Sequence, residues 1–248
     1  MDTDTYRFVD RDDAGQRLAA LVEAVVSSPP RDDRLPTDHS ADDVIVLGLP
    51  RGGVPVAAAV AARLGAPLHV LVARKLGAPQ QPEFAIGAVV EAGARVIDLD
   101  LARRCGVDGG AIAAVEQRER DRVAAQAECF GVGRRPSLRG RTVVIVDDGI
   151  ATGATARAAC RAARAMGARR VVLAVAAAPA DWRTQMRDEA DDLVCVVEED
   201  VPAVGYWYAD FGQVSDRDVV LALEAATTRP SDGVGPTGPT PGSTGRPR

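Results

Sequence analysis

Residues 143–155 read VVIVDDGIATGAT, and this stretch limits what the chain can fold into more than any other. Four apolar β-formers run into two adjacent carboxylates, Asp147 and Asp148. A short turn follows, and Thr152-Gly153-Ala154-Thr155 opens an Ala-rich helix. The order strand, acid pair, hydroxyl and glycine loop, helix start defines a β–loop–α unit. Such a helix start presents unpaired N–H groups at the positive end of the helix dipole, which is an anion site. Gly153 lets the backbone approach the anion closely. Ionised, Asp147 and Asp148 accept hydrogen bonds only, which suits a vicinal diol, at about 1.5–3 kcal/mol for each charge-assisted bond. The segment can therefore hold a sugar hydroxyl pair and a phosphate at once. Carboxylates beside a polyphosphate repel it unless a cation intervenes, so Mg2+ is implied. The plainer reading is a solvated strand end followed by a helix cap.

The rest of the chain supplies matching units. Residues 14–26 have helical spacing, and 27–42 are rich in Pro, Asp and Ser and read as a loop. VIVLGL (44–49) is an all-apolar run, as in a strand buried on both faces. Residues 54–64 form a small-residue helix, and LHVLVAR (68–74) reads as the next strand. Lys75 to Pro82 reads as a loop. Residues 84–90 and 94–99 flank Glu91-Ala92-Gly93 as a hairpin. Residues 100–130 have a charged helical pattern broken at Gly109-Gly110, an inserted helical pair. Strands at 142–146, 171–177 and 193–197 alternate with helices at 153–166, near 180–190, and at 216–226. Gly167 stops the helix before it. From Thr227 the composition turns to Thr, Pro, Gly and Ser, and a disordered tail is expected. The pattern predicts an α/β fold, a doubly wound and mostly parallel sheet with helices on both faces. Residues 1–226 form one domain, with its core at 44–200. Ligands of such sheets sit at the carboxyl ends of the strands. The loops at 50–53, 74–83, 147–155 and 198–211 all follow strands and converge there.

Composition excludes several classes. The chain has 248 residues, 46% of them hydrophobic and 26% charged, with a net charge of −5. That balance argues against broad nucleic-acid binding. Cys105, Cys129, Cys160 and Cys195 form no CxxC pair and read as buried thiols of a reducing compartment. The acidic N-terminus is not expected to be a signal peptide, and no apolar run approaches a membrane span. A cytoplasmic protein is expected. His39 and His69 are isolated and lack metal-ligand spacing. Arg157, Arg161 and Arg164, and the run RERDR (118–122), read as solvated helix faces.

Three further segments carry chemistry. Pro50-Arg51-Gly52-Gly53 breaks a buried strand with a cation and two glycines, so it can expose N–H groups to an anion or be an ordinary turn. Its spacing matches neither the GxGxxG nor the GK[ST] phosphate loops. Arg74-Lys75 closes a strand with two cations. Glu83 is the first carboxylate after Lys75 and could act as a general acid or base, or be a solvated loop residue. In 205–211, Tyr206, Trp207, Tyr208, Asp210 and Phe211 could stack on and hydrogen-bond a planar base, or seal the domain or a dimer contact.

VVIVDDGIATGAT resembles the phosphoribosyl-diphosphate (PRPP) signature of the type I phosphoribosyltransferases. The resemblance implies that Asp147 and Asp148 bind the ribose hydroxyls, with Mg2+ directly or through water. It implies that Ala151, Thr152, Gly153, Ala154 and Thr155 bind the 5′-phosphate. Arg51, Gly52 and Gly53 resemble the family's pyrophosphate loop, which often carries a strained peptide. Arg74-Lys75 is similar to a family pair whose Lys meets pyrophosphate, and the loop through Glu83 resembles the mobile catalytic flap. Residues 200–215 would be the base-recognising hood. The activity implied is transfer of ribose 5-phosphate from PRPP to a nitrogen, with release of pyrophosphate; a homodimer is expected on the same ground. Ala151 stands where oxopurine-type members carry Asp, which points toward the adenine, orotate or uracil groups. The resemblance spans roughly 44–200 and fits best the uncharacterised members with an LPRGG loop and an RKLGAP flap. The competing class is a regulatory protein of the same fold that senses PRPP or nucleotides without turnover.

Overall fold

The computed structural model describes residues 8–28, 43–91, 95–132 and 135–227, with the backbone alone for 81–85 and Val96. The expected N-terminal stretch before Phe8, most of the 27–42 loop with His39, the turn at 92–94 and the tail from 228 lie outside the described residues.

Five parallel strands form the central sheet. They are β1 (Val44–Gly48), β2 (Leu68–Val70), β6 (Thr142–Asp147), β7 (Arg170–Ala178) and β8 (Asp192–Glu198), in the order β2-β1-β6-β7-β8. Their side chains divide by the period of two. Val44, Val46, Val144, Val146, Val172 and Ala174 face one side, against Leu18, Val22, Val56 and Val60 of helices α1 (Arg11–Val26) and α2 (Gly53–Leu64). Ile45, Leu47, Val143, Ile145, Leu173 and Val175 face the other, against Ala159, Cys160 and Ala163 of α5 (Ala154–Ala165). Each large aliphatic buried in this way contributes roughly 1.5–3 kcal/mol. The all-apolar strands are thus explained by burial on both faces, and the doubly wound, mostly parallel α/β architecture holds.

A second sheet departs from the sequence reading. β3 (Ala73–Ala78), β4 (Gln81–Val90) and β5 (Arg95–Ile97) form an antiparallel sheet in the order β3-β4-β5. LHVLVAR is therefore two strands in two sheets. The cause is a change of hydrogen-bond partner. Leu71 N–H still donates to Gly48 O of β1 at 3.1 Å, but Val72 N–H donates to the Glu91 carboxylate and Val72 O accepts from Glu91 N–H at 3.1 Å. Arg135 holds that buried Glu91 by an ion pair and also donates to Val70 O. Residues 75–82 are accordingly not an open loop. They are the arms and tip of a hairpin, in which Lys75 faces Ala88 and Arg74 faces Val89 across the ladder.

The inserted segment is a helical pair, α3 (Leu99–Arg104) and α4 (Gly109–Cys129). Gly109 and Gly110 do not break it; they open α4, whose N-cap Asp108 accepts from Ala111 N–H. The break falls at Gly106, with φ +67°. α6 (Trp182–Met186) is shorter than the expected 180–190 helix, and α7 (Asp216–Thr227) includes Thr227. Gly167, with φ +88°, follows α5 as anticipated. Of the thiols only Cys160 is fully buried; Cys105 and Cys195 are half-buried and Cys129 is exposed, which corrects the expectation of four buried thiols. Among the described residues, no helix is long and apolar enough to cross a membrane.

α1 is fixed at both ends. Asp10 caps it by accepting from Asp12 and Asp13 N–H groups. At the other end Arg170, 1% exposed, bonds Asp192 Oδ2 at 2.8 Å, Ser28 O at 3.1 Å and Val25 O at 3.0 Å. Replacing one member of a buried pair strands the other charge. Arg170→Ala is therefore expected to lower unfolding free energy by about 3–5 kcal/mol, measured by urea denaturation; a loss under ~1 kcal/mol would show that water takes over the role.

Candidate functional site

The acid pair and the glycine pair meet at the carboxyl edge of β1 and β6. A Cβ added to Gly53 would lie 2.6 Å from Val146 O and 2.9 Å from Asp147 Cα. A Cβ on Gly52 would lie 1.9 Å from Asp148 Oδ2. Only glycines allow the 50–53 turn to lie this close to the 147–148 turn. The Pro50–Arg51 peptide bond is cis. Arg51 is exposed and lies 3.9 Å from Asp216 of α7.

Asp147 is tucked under this contact. Its Oδ1 accepts the Asp148 N–H at 2.9 Å. Burial first, and then the neighbouring Asp148, raise its pKa well above the usual carboxylate value. Asp148 has a cationic partner, Arg11 of α1, whose Nε donates to Oδ2 at 2.8 Å. Arg11 also donates to Gly212 O at 2.8 Å, and its guanidinium lies 4.0 Å from the Phe211 ring centre. The sequence reading did not single out Arg11, because nothing local connects the first turn of α1 with a strand end 137 residues away.

Past the pair, Ala151 and Thr152 are exposed, and Gly153 adopts φ +69° as the N-cap of α5 without any side-chain capping bond. The first turn of α5 thus offers its N–H groups to the same edge of the sheet. Thr155 lines a cleft of about 970 Å³. Arg51, Arg74 and Lys75 line it too, with Pro79 at the hairpin tip and Arg118, Glu119 and Arg122 of α4. Glu83 falls on β4 in the arm after that tip.

The aromatic segment divides. Trp207 and Tyr208 are buried with Phe8, Ala14, Ala176 and Ala177, and so act in packing. The Tyr208 hydroxyl donates to Asp148 O at 2.6 Å, and burial followed by the Asp148 charge pushes its pKa up. Tyr206 and Phe211 remain exposed, and Asp210 accepts from Gly212 N–H. The turn after Asp148 is seated on this segment: a Cβ at Gly149 would lie 2.4 Å from Val204.

RERDR proves to be more than a solvated face. Glu116 and Glu119 are buried, at 5% and 7% exposure, and each is ringed by arginines. Arg157, Arg161 and Arg164 do lie on the surface, paired with Glu189 and Asp191. His69 lies on β2, and burial followed by Arg135 lowers its pKa.

A carboxyl with a raised native pKa binds protons more tightly folded than unfolded. Stability then falls as pH rises from the unfolded value, 3.8, toward the native one, and stays reduced above it. Asp147→Asn removes that penalty while keeping an acceptor for Asp148 N–H. In chelator-treated buffer the variant is expected to melt above the parent at pH 7, by about 2–4 °C for each kcal/mol relieved. The gap should close as pH falls toward ~4. Equal melting temperatures at pH 7 would contradict the buried-charge account.

Comparison with known proteins identifies the family of the chain. The model of the phosphoribosyl transferase domain matches residues 35–210. The Mycobacterium tuberculosis protein Rv0571c, provisionally named a phosphoribosyl transferase, is 48% identical over 221 residues, 88% of this chain and 47% of its own. The corresponding protein of the CDC 1551 strain matches equally. The chain therefore spans about half the length of the curated relatives it matches. The crystal structure of TT1426 from Thermus thermophilus superposes with a TM-score of 0.74 at 40% identity, over 88% of this chain and 97% of that one. A domain match over most of the chain, a relative sharing nearly half its residues and a common fold place this chain in the phosphoribosyl transferase domain family.

Proposed function

We propose that the protein transfers ribose 5-phosphate from PRPP to a nitrogen acceptor, a nucleobase being the first candidate, and releases pyrophosphate. The observation that carries this is the direct contact of the Gly52-Gly53 turn with Asp147 and Asp148, beside the uncapped start of α5. One ligand with a diol between two phosphate ends fits that edge.

In this reading Asp147 and Asp148 accept from the ribose 2′- and 3′-hydroxyls. The 151–155 turn binds the 5′-phosphate through backbone N–H groups and the hydroxyls of Thr152 and Thr155. Arg51, the amides of Gly52 and Gly53, and Lys75 meet the diphosphate, with Arg74 next to them. Breaking the C1–O bond leaves cationic character on the ribose. Asp147 and Asp148 stabilise it, and the cations across the cleft stabilise the departing diphosphate. Glu83, on the hairpin arm, is the candidate acid or base at the acceptor nitrogen. The exposed Tyr206, Asp210 and Phe211 are the candidate base contacts, whereas buried Trp207 and Tyr208 support them from below.

Two adjacent carboxylates, with no cluster of three or more metal-ligating acids, histidines or cysteines among the described residues, suit Mg2+ better than a caged metal. Asp147 and Asp148 would hold Mg2+ directly or through water, and bound there it would offset the charge between the diphosphate and the acid pair.

Protein incubated with Mg2+, PRPP and a panel of nucleobases is expected to release pyrophosphate with at least one base. Tight PRPP binding with no release for any base would instead assign the sensing role. Asp148→Asn is expected to weaken PRPP binding about tenfold or more, the equivalent of one charge-assisted bond, and by more than it weakens folding, since the variant also loses the charge that faces Arg11. Unaltered PRPP affinity would remove the ribose assignment.

A further inference from the structure

The cationic lining of the cleft extends beyond the segments assigned above to the diphosphate. Arg51, Arg74, Lys75, Arg118 and Arg122 line it against two carboxylates, Glu119 and Asp216. Two of these cations, Arg118 and Arg122, lie on α4, in the inserted helical pair, and they are organised around one residue. Glu119 is buried, with its side chain 9% exposed. Its Oε2 accepts from Arg74 Nε at 3.0 Å, and its Oε1 accepts from Arg122 Nη1 at 2.9 Å and Arg118 Nε at 3.3 Å. Burial works to raise the pKa of Glu119, but the guanidiniums of Arg74, Arg118 and Arg122 outweigh it and hold the carboxyl below its usual value.

Three guanidiniums on one carboxylate leave a net charge of about +2 (three cations less one anion), in a cluster whose members are fixed by a buried anchor. Each guanidinium has about five N–H donors in a planar fork, and Glu119 takes one from each. The guanidiniums remain partly open, with side chains 39%, 61% and 55% exposed for Arg74, Arg118 and Arg122. All three line the cleft. Three guanidiniums lining one cavity match a dianion with several acceptor oxygens, as a phosphate group has.

We propose that Arg74, Arg118 and Arg122, held by Glu119, form a subsite for the phosphate group of a second ligand, distinct from PRPP. Arg118 and Arg122 bind the phosphate, and Glu119 is a positioning residue. This deepens the phosphoribosyltransferase reading and rests on it only in calling the ligand the second one. The occupant is either free phosphate or a phosphomonoester, and the chemistry of recognition is the same for both.

The test titrates inorganic phosphate, and separately a nucleoside monophosphate, into protein saturated with PRPP and Mg2+, by calorimetry. One further anion per chain is expected to bind. Arg118→Gln with Arg122→Gln is expected to weaken it by about tenfold per lost charge-assisted bond and to leave PRPP affinity unchanged, with Arg74 still paired to Glu119 and the folded state checked by circular dichroism. Tighter binding of the monophosphate assigns an organic phosphate, and tighter binding of the free ion assigns inorganic phosphate. No anion bound beside PRPP, or equal binding by the double variant, overturns the subsite. If PRPP itself does not bind, the function proposed above fails. Phosphate titration of parent and double variant, without PRPP, then still decides this proposal.

Discussion

Everything at the ligand edge depends on two turns packed together with no side chain between them. β1 and β6 are adjacent and parallel, so their carboxyl ends are about one strand spacing, ~4.8 Å, apart. The turn after β1 can sit on the turn after β6 only if it carries no Cβ at the contact. Gly52 and Gly53 supply that condition, and Asp147 and Asp148 fill the space it creates. The same contact half-buries Asp147, and the lost hydration raises its pKa. Close packing here thus costs stability at Asp147 and leaves the pair with few protein donors, the Asp148 N–H on Asp147 and Arg11 on Asp148 among them.

The charges around this contact are graded. Arg11 neutralises Asp148 from the α1 side, and the α4 arginines line the cleft together with Arg51. A chain with net charge −5 therefore presents a locally cationic cleft. The overall charge and the charge of this one cleft are thus opposite in sign.

Most of the central sheet was legible because burial on both faces leaves an unmistakable apolar run. The acid pair and the start of α5 were legible because their chemistry is contiguous in sequence. What was missed depends on contacts between distant segments. The split of LHVLVAR follows from Glu91 taking the amide of Val72, and that partner lies 19 residues on. Arg11 reaches its carboxylate only through the packing of α1 on the sheet. RERDR did carry a signal. Ile112, Val115, Glu116, Glu119 and Val123 recur at spacings of three and four, so both glutamates fall on the apolar stripe of α4. An acid at such a position is buried with partners or not at all. The aromatic segment could not be resolved from composition, since packing and stacking require the same residues.

α1 connects the two ends of the molecule. Its last turn is held by Arg170 at the start of β7, and its first turn carries Arg11 to the end of β6. Its 16 residues, at about 1.5 Å each, make a strut of ~24 Å. A rigid rod anchored at one end sets the position of its tip. The register of Arg11 over Asp148 is accordingly measured from the far edge of the sheet, by an ion pair that never approaches the ligand.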